Sequence, residues 1–236
     1  MDLSKAAVLV TGGSCGIGFE TARLLRERGA RVAICARHEG PLDSAAEMLG
    51  AIPLVADVSR EDDVVRMIAR VVKEFDDYNV LINNAGFGAF TPLVEMTSEE
   101  LLRVWQTNVL GTMLCARESA RHFIGRSYGN IINMSSTAGS RGFANGSAYC
   151  SSKFAVGALT ECWRAELRQH NIRVMQVNPS EVLTNFGAVE SSEPKSKPDN
   201  PTKLTAADIG QMIVDMLEIP DRGFVTETTI WATNPR

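Results

Sequence analysis

The chain has 236 residues, of which 44% are hydrophobic and 22% charged, a composition typical of one folded globular domain. Its formal net charge of −4 excludes general electrostatic attraction to nucleic acid, and no apolar run reaches the roughly 18 residues that a membrane helix needs. The five cysteines lack a Cys-x-x-Cys pair and indicate reduced thiols rather than a metal site. We therefore expect a single cytoplasmic domain over residues 1–236, without a cleavable signal, a membrane partner or a bound metal.

The N-terminal segment combines an apolar run with a glycine-rich turn. Residues 6–10 are apolar, residues 11–18 read TGGSCGIG, and residues 19–28 have a helical pattern stopped by Gly29. This order predicts a dinucleotide site, because glycines let the backbone approach a pyrophosphate and the helix N-terminus offers free N–H groups. An ordinary glycine-rich turn is the competing interpretation. The predicted cofactor-binding residues of the loop are Gly12, Ser14, Cys15, Gly16, Ile17 and Gly18.

The end of the second predicted strand, residues 31–36, bears on which dinucleotide binds. An acidic residue near this point binds the ribose 2′-hydroxyl of NAD, whereas an arginine accommodates the 2′-phosphate of NADP. The chain has Cys35, Ala36 and Arg37 there, with no carboxylate among them. Because a guanidinium offers several donors to a phosphate, the sequence predicts NADP(H), with NAD(H) as the second choice. A solvated strand-end charge is the alternative for Arg37, and His38 is expected to be exposed.

Apolar strands alternate with helical patterns along the rest of the chain, which predicts a parallel sheet covered by helices on both faces. Capping-box patterns predict helices beginning at Ser59 and at Thr97, the second running to about Phe123. A polar, proline-rich segment at about 184–204 interrupts the alternation, and we expect it to be a substrate lid, with a solvated linker as the alternative. The further predicted strands are residues 52–56, 79–82, 129–134, 172–177 and 224–231.

Tyr149 and Lys153 are four residues apart and are expected to share one helix face. A phenol, with a pKa of about 10, is a poor acid or base at neutral pH, but a nearby ammonium favours the phenolate. The pair therefore predicts a proton-exchanging group, although chance often produces this spacing on exposed helices. Ser135 and Ser136 end the fifth strand and are candidates for a neighbouring hydroxyl; strand alternation alone does not choose between them.

Assembled in order, these motifs resemble the short-chain dehydrogenase/reductase family over about residues 5–190. The resemblance implies a doubly wound, Rossmann-type α/β fold of about seven parallel strands, a nicotinamide cofactor, and hydride transfer at a carbonyl or alcohol. It implies that Ser136 rather than Ser135 holds the substrate oxygen. It also implies that Lys153 binds the nicotinamide ribose and lowers the Tyr149 pKa. It implies that Asn108 binds a water molecule through which protons reach Lys153. An ordinary buried hydrogen-bonding role is the alternative for Asn108. The motifs are the loop at 11–18, Asn83-Asn84-Ala85-Gly86, Asn108, Ser136, Tyr149 and Lys153.

The resemblance also implies cofactor contacts outside the glycine loop. Asp57 corresponds to an acid that contacts adenine, with a helix-capping aspartate as the alternative. One of the adjacent asparagines, Asn83 or Asn84, is expected to brace neighbouring strands. Asn178-Pro179-Ser180 replaces the family's usual Asn-Pro-Gly, which predicts an altered turn because serine tolerates positive φ poorly. The remaining implied cofactor contacts are Val58, Asn84, Ala85, Gly86, Pro179, Val182 and Thr184.

The predicted function is an NADP(H)-dependent carbonyl reductase or alcohol dehydrogenase that acts on a small-molecule carbonyl or alcohol. A 3-oxoacyl-[acyl-carrier-protein] reductase and a catalytically silent NADP(H)-binding regulator are the alternatives. Relatives imply a homodimer or homotetramer. Arg141 is either an anion contact or an ordinary surface arginine. Candidates for an apolar substrate wall, or equally for the core, are Phe87, Phe90, Phe143 and Phe186.

Overall fold

The computed structural model describes residues 1–184 and 202–233. The strands are β1 (Ala7–Thr11), β2 (Arg31–Ala36), β3 (Ile52–Val55), β4 (Val80–Asn83), β5 (Gly129–Met134), β6 (Ile172–Pro179), β7 (Val182–Leu183), β8 (Leu204–Thr205) and β9 (Glu227–Ile230). The helices are α1 (Gly16–Glu27), α2 (Glu39–Leu49), α3 (Glu61–Glu74), α4 (Ser98–Trp105), α5 (Thr112–Arg126), α6 (Ser147–Leu167) and α7 (Ala206–Glu218).

Seven strands form one parallel sheet in the order β3-β2-β1-β4-β5-β6-β9. The strand order reverses direction between β1 and β4, and in open α/β sheets ligands bind at the carboxyl ends of the strands beside such a switch point. The predicted fold class is therefore confirmed. The short pair β7-β8 stands outside this sheet and was not predicted.

Side-chain alternation along β1 explains why both faces of the sheet are covered. Val8 and Val10 pack into one hydrophobic cluster with residues of α1, α2 and α7, whereas Ala7 and Leu9 pack into a second with residues of α3 and α5. Successive side chains of a strand point to opposite faces, so a wholly apolar strand requires helices on both. All five residues of β1 are buried, which fixes the strand that leads into the glycine loop.

Of the two predicted helix starts, one is confirmed and one is wrong. Thr97 is the N-cap of α4, and its side chain accepts a hydrogen bond from Glu100 N at 3.1 Å. Ser59 is not a cap: α3 begins after Arg60, which contributes no side-chain cap bond. The Asp57 carboxylate instead accepts hydrogen bonds from Ser59 N (2.9 Å) and Ser59 Oγ (2.7 Å). This Asx-type turn competes successfully with helix initiation at Ser59.

The long helix predicted after Thr97 extends to Arg126 but is not uniformly α-helical. Residues Gln106–Gly111 form a π-helical turn between α4 and α5. Single π turns inside α-helices are rare and are frequent at functional sites. The turn contains Asn108, one of the candidate residues.

Two further predictions concern the substrate lid and the absence of a membrane-spanning helix. The predicted lid at about 184–204 lies for the most part in residues 185–201, outside the described residues. Across residues 1–184 and 202–233, no helix is both long enough and apolar enough to cross a membrane.

Candidate active site

The glycine loop is held by close backbone contacts that exclude larger residues. Gly12 has φ +65°, in the left-handed region that favours glycine. A Cβ on Gly18 would lie 2.2 Å from the Gly12 carbonyl oxygen, so the first turn of α1 packs directly on the loop. Asn84 Nδ2 donates to the carbonyl oxygens of Thr11 (3.0 Å) and Gly12 (3.1 Å) and ties the loop to the end of β4.

The other predicted loop residues line an open N-terminus of α1. Cys15 is the N-cap, is exposed, and makes no side-chain cap bond within the described structure. Ser14 is half-buried, and Ile17 lines the main cleft. A Cβ on Gly16 would lie 3.6 Å from Thr184 Cγ2, so β7 faces the loop across the cleft. The helix N–H groups are thus available to an anion, as a pyrophosphate site requires.

The residues predicted to contact the adenosine half follow β2, β3 and β4. Arg37 is exposed directly after β2, as is His38. Asp57 is half-buried, and its carboxylate accepts from Ser59 in the Asx-type turn before α3, so it does not cap that helix. Val58 is buried, and a Cβ on Gly111 would lie 2.8 Å from its Cγ2, so its side chain packs against the π-helical turn.

The two adjacent asparagines after β4 both make structural hydrogen bonds. Asn83 Nδ2 donates to Thr112 O (3.3 Å) and to Asn133 Oδ1 (3.0 Å), which joins β4 to β5 and to α5. Asn84 holds the glycine loop, as described above. Gly86 lines the cleft, and Ala85 lies so near Gly12 that a Cβ on that glycine would be 2.9 Å from Ala85 Cα.

Ser136, Tyr149 and Ser135 all line the cleft, but only Ser136 is bonded to Tyr149. The Tyr149 side chain is hydrogen-bonded to Ser136. Ser136 Oγ also accepts from Ala138 N (3.1 Å) and donates to Pro179 O (3.4 Å). Ser135 Oγ donates to the backbone oxygen of Lys153 at 3.1 Å and is buried. The structure therefore gives different surroundings to two serines that strand alternation alone did not distinguish.

Lys153 is buried with its ammonium group near the face of the Tyr149 ring. Its Nζ is 5.7 Å from the ring centroid and donates to Met134 O at 2.8 Å. The lysine is 5% exposed, and the loss of solvation lowers its pKa to about 8. Burial raises the Tyr149 pKa, and the hydrogen bond with Ser136 opposes that rise. Desolvation of the phenolate outweighs this opposing contact, and the lowering of the Tyr149 pKa by Lys153 stays a prediction.

Asn108 uses its whole amide for hydrogen bonds inside the protein. Its Oδ1 accepts from Phe87 N (3.0 Å), and its Nδ2 donates to Phe87 O (2.9 Å) and to Ser152 Oγ (3.0 Å). A Cβ on Gly86 would lie 3.0 Å from Asn108 Oδ1 and 3.7 Å from Lys153 Nζ. Asn108 therefore fastens the segment after β4 to α6 directly beside Lys153.

These residues surround one cleft of about 1010 Å³. Phe90 packs at 5.9 Å from Phe143 and at 5.7 Å from Tyr149, measured between ring centroids, and forms part of the predicted apolar wall. Trp231, 59% exposed after β9, also lines the cleft and was not predicted. The lining further includes Ile17, Asn84, Gly86, Ser136, Arg141, Lys153, Pro179, Glu181, Val182, Thr184 and Lys203.

Three further predictions concern the rim of the cleft. Phe87 lies under the Arg103 guanidinium at 5.3 Å and is absent from the described lining. Phe186 falls outside the described residues. Ser180 is not among the described residues with positive φ, and its N–H donates to Ile230 O at 2.9 Å. The altered turn stays a prediction.

The sheet order and the glycine-lined crevice define a dinucleotide-binding α/β protein. A sequence model of the family described as short chain dehydrogenase matches residues 6–195. The chain belongs to the short-chain dehydrogenase family.

Named relatives cover most of the chain. It is 32% identical to an NADP-dependent 3-hydroxy acid dehydrogenase of Schizosaccharomyces pombe, over 98% of this chain and 94% of the relative. It is 34% identical to a 3-oxoacyl-[acyl-carrier-protein] reductase of Bos taurus, over 89% of this chain and 90% of the relative. Among solved structures, an alcohol dehydrogenase from Thermococcus sibiricus complexed with 5-hydroxy-NADP aligns with a TM-score of 0.87 and 27% identity, covering 98% of each chain.

Proposed function

We propose that the chain is an NADP(H)-dependent oxidoreductase that interconverts a carbonyl and an alcohol by hydride transfer. The observation that carries the proposal is the hydrogen bond between Tyr149 and Ser136, beside buried Lys153, in the same cleft as the glycine loop. Relatives named as NADP-dependent or complexed with 5-hydroxy-NADP support the choice of cofactor. When bound, the nicotinamide supplies or accepts the hydride, and the protein supplies orientation, electrostatics and the proton.

The geometry of the glycine loop fits a dinucleotide. A Cβ on Gly18 would lie 2.2 Å from Gly12 O, so this glycine lets α1 pack on the loop. The N-terminus of α1 would then face the pyrophosphate. Arg37 would hold the 2′-phosphate, Asp57 and the Val58 backbone the adenine, and residues 84–86 the adjacent ribose. At the opposite end, Lys153 would hold the nicotinamide ribose. Pro179, Val182 and Thr184 would contact the nicotinamide.

Tyr149 would act as the proton donor in reduction. Burial raises the Tyr149 pKa, so at neutral pH the residue is a phenol with a proton to give. Ser136, hydrogen-bonded to the same hydroxyl, would hold the substrate oxygen at the point where negative charge develops as hydride arrives at carbon. In the reverse direction the phenol must first lose its proton, so we expect alcohol oxidation to speed up as pH rises.

Asn108 would act through its neighbours. Its side-chain N–H groups donate to Phe87 and Ser152, and its Oδ1 accepts from Phe87 N and keeps one lone pair. We assign Asn108 the positioning of residues 86–87 beside Lys153, and the proton relay stays a prediction.

The first experiment is a fluorescence titration of the purified protein with NADPH and NADH at matched concentrations. We expect tighter NADPH binding, lost on Arg37→Asp, because a carboxylate at that position repels the 2′-phosphate. Tighter NADH binding would overturn the role of Arg37. Binding of neither cofactor would sink the proposal.

A second experiment separates an enzyme from a silent cofactor-binding regulator. Tyr149→Phe should lower kcat for carbonyl reduction by roughly 10²- to 10⁴-fold, the usual contribution of general acid catalysis, while NADPH affinity stays within about threefold. A native protein that binds NADPH but reduces no carbonyl in a broad screen would favour the regulator.

A 3-oxoacyl-[acyl-carrier-protein] reductase is the second candidate, favoured by the 34% identical relative of that name. Acyl-carrier thioesters and free ketones assayed side by side distinguish the two. We further propose a homodimer or homotetramer, supported by the exposure of Trp105 (37%) on α4 and Phe154 (47%) on α6. A monomeric mass by light scattering would contradict it.

A further inference from the structure

The cleft carries a local charge opposite to that of the chain. The protein has a net charge of −4, yet the described lining includes the cations Arg141, Lys153 and Lys203 and a single carboxylate, Glu181. A cleft lined by one sign of charge raises the local concentration of ligands of the other sign. This cleft therefore favours anions.

Two of the three cations already have protein partners. Lys203 is paired with Glu181, and Lys153 donates to Met134 O and lies under the Tyr149 ring. Arg141 is exposed and makes no hydrogen bond or ion pair with the part of the chain that the structure describes. It is thus the cation of the cleft whose guanidinium is available to a ligand.

Arg141 lies on the substrate side of the cleft rather than on the cofactor side. It belongs to the segment that joins Ser136 to Tyr149, two residues before Phe143. The rings of Phe143, Phe90 and Tyr149 follow one another at 5.9 Å and 5.7 Å between centroids. This path leads from the neighbourhood of Arg141 to the Tyr149 ring. The glycine loop is elsewhere on the lining, opposite β7.

We propose that Arg141 determines substrate specificity by binding a carboxylate on the carbonyl substrate. The substrate is then an oxo acid or the corresponding hydroxy acid, with its carboxylate on the Arg141 guanidinium, its carbon chain along Phe143 and Phe90, and its carbonyl at Ser136 and Tyr149. A guanidinium suits this role because it forms two parallel hydrogen bonds to a carboxylate, whereas an ammonium acts as a point charge. The proposal rests on the proposed function and adds the class of substrate.

The test compares matched pairs of substrates. A series of short oxo acids that differ in the spacing between ketone and carboxylate is assayed with NADPH beside the methyl ester of each acid and a ketone that carries a phosphate monoester. The native protein should prefer one of the acids. Arg141→Ala should raise the KM of that acid by roughly 10- to 100-fold, the effect of losing a hydrogen-bonded charge pair, and that of its ester by less than about threefold. Arg141→Lys should fall between native and Arg141→Ala.

A control arginine and a binding readout complete the design. Arg222 is also exposed and lies outside the described cleft lining, so Arg222→Ala should leave the KM of the acid unchanged. Titration of the NADP⁺ complex with the non-reacting saturated carboxylic acid of matching length should show the same loss of affinity on Arg141→Ala. Equal effects on acid and ester, an equal effect of Arg222→Ala, or a preference for the ester or the phosphate would overturn the role of Arg141. Those results leave the proposed function intact. Failure of the proposed function shows instead as a native protein that reduces no carbonyl, and the carboxylate titration then still decides on Arg141.

Discussion

The glycine loop and the catalytic cleft relate function to stability in opposite ways. At Gly18 the missing side chain lets α1 pack on the loop, since a Cβ there would lie 2.2 Å from Gly12 O, and this packing also holds the helix N-terminus proposed to bind the pyrophosphate. At Lys153 the feature proposed for catalysis burdens the fold, because burial lowers the pKa of the ammonium from 10.5 to about 8. A substitution in the loop should therefore damage binding and stability together, whereas one in the cleft should separate them.

The largest effect is expected for Lys153→Met, which removes the buried ammonium and keeps much of the side-chain volume. We expect carbonyl reduction to fall roughly a hundredfold or more. The lowered pKa means that the buried ammonium destabilises the folded state by on the order of 3 kcal/mol at neutral pH. The variant removes this destabilisation but also loses the hydrogen bond to Met134 O. The free energy of unfolding should thus rise by about 1–2 kcal/mol in urea denaturation. A variant that is both inactive and less stable would remove the contrast between the two regions.

The next effect in size is expected for Gly18→Ala. Overpacking at a close backbone contact costs typically about 1–3 kcal/mol, and the shift of α1 needed to relieve it should weaken NADPH binding at least about tenfold. Gly125→Ala is the matched control, because a Cβ on Gly125 in α5 would meet nothing within 4 Å. It should be neutral or slightly stabilising, since alanine favours helix. Both variants are measured by urea denaturation and by NADPH titration.

The smallest effect is a pH dependence of stability that reports on Lys153. The folded-state pKa of about 8 lies below the value of 10.5, so between these limits the unfolded chain binds more protons and stability from this group rises with pH. Native protein should gain about 2 kcal/mol relative to Lys153→Met between pH 8 and pH 10. Buried Cys35 and Tyr78 have raised pKa values and also contribute to the pH dependence of stability. Their contributions cancel when the native protein is compared with Lys153→Met. A constant difference across this range would contradict the assignment.

Features that depend on local backbone chemistry were predicted well from the sequence. β5 occupies the predicted residues 129–134, and Thr97 caps α4 as expected. A further capping box, formed by Thr205 and Asp208 at the start of α7, was not predicted, although its spacing is visible in the sequence. Ser59 failed because Asp57, two residues earlier, competes for the same hydroxyl and N–H.

Features that depend on distant parts of the chain were predicted less well. Trp231 enters the cleft only because β9 pairs with β6, 51 residues apart at the register pair Gln176–Glu227, and no local pattern encodes that contact. The rise of the Tyr149 pKa through burial was not predicted, since spacing gives proximity but not burial. Arg141 was recognised as a possible anion contact, but its lack of a partner in the described structure required the fold.

The π-helical turn at Gln106–Gly111 has a consequence for insertions and deletions. An α-helix advances about 100° per residue, and a π turn accommodates one extra residue without breaking the helix. It thereby sets the rotational phase of α4 against that of α5, so that Val104 is buried on one side and Leu114 on the other. Deleting a single residue within the turn would restore regular winding and keep the buried faces of α4 and α5 in phase, whereas a deletion within α4 or α5 would rotate part of the helix by about 100°. The tolerance of this long helix to a deletion should therefore be highest where its hydrogen-bonding pattern is least regular.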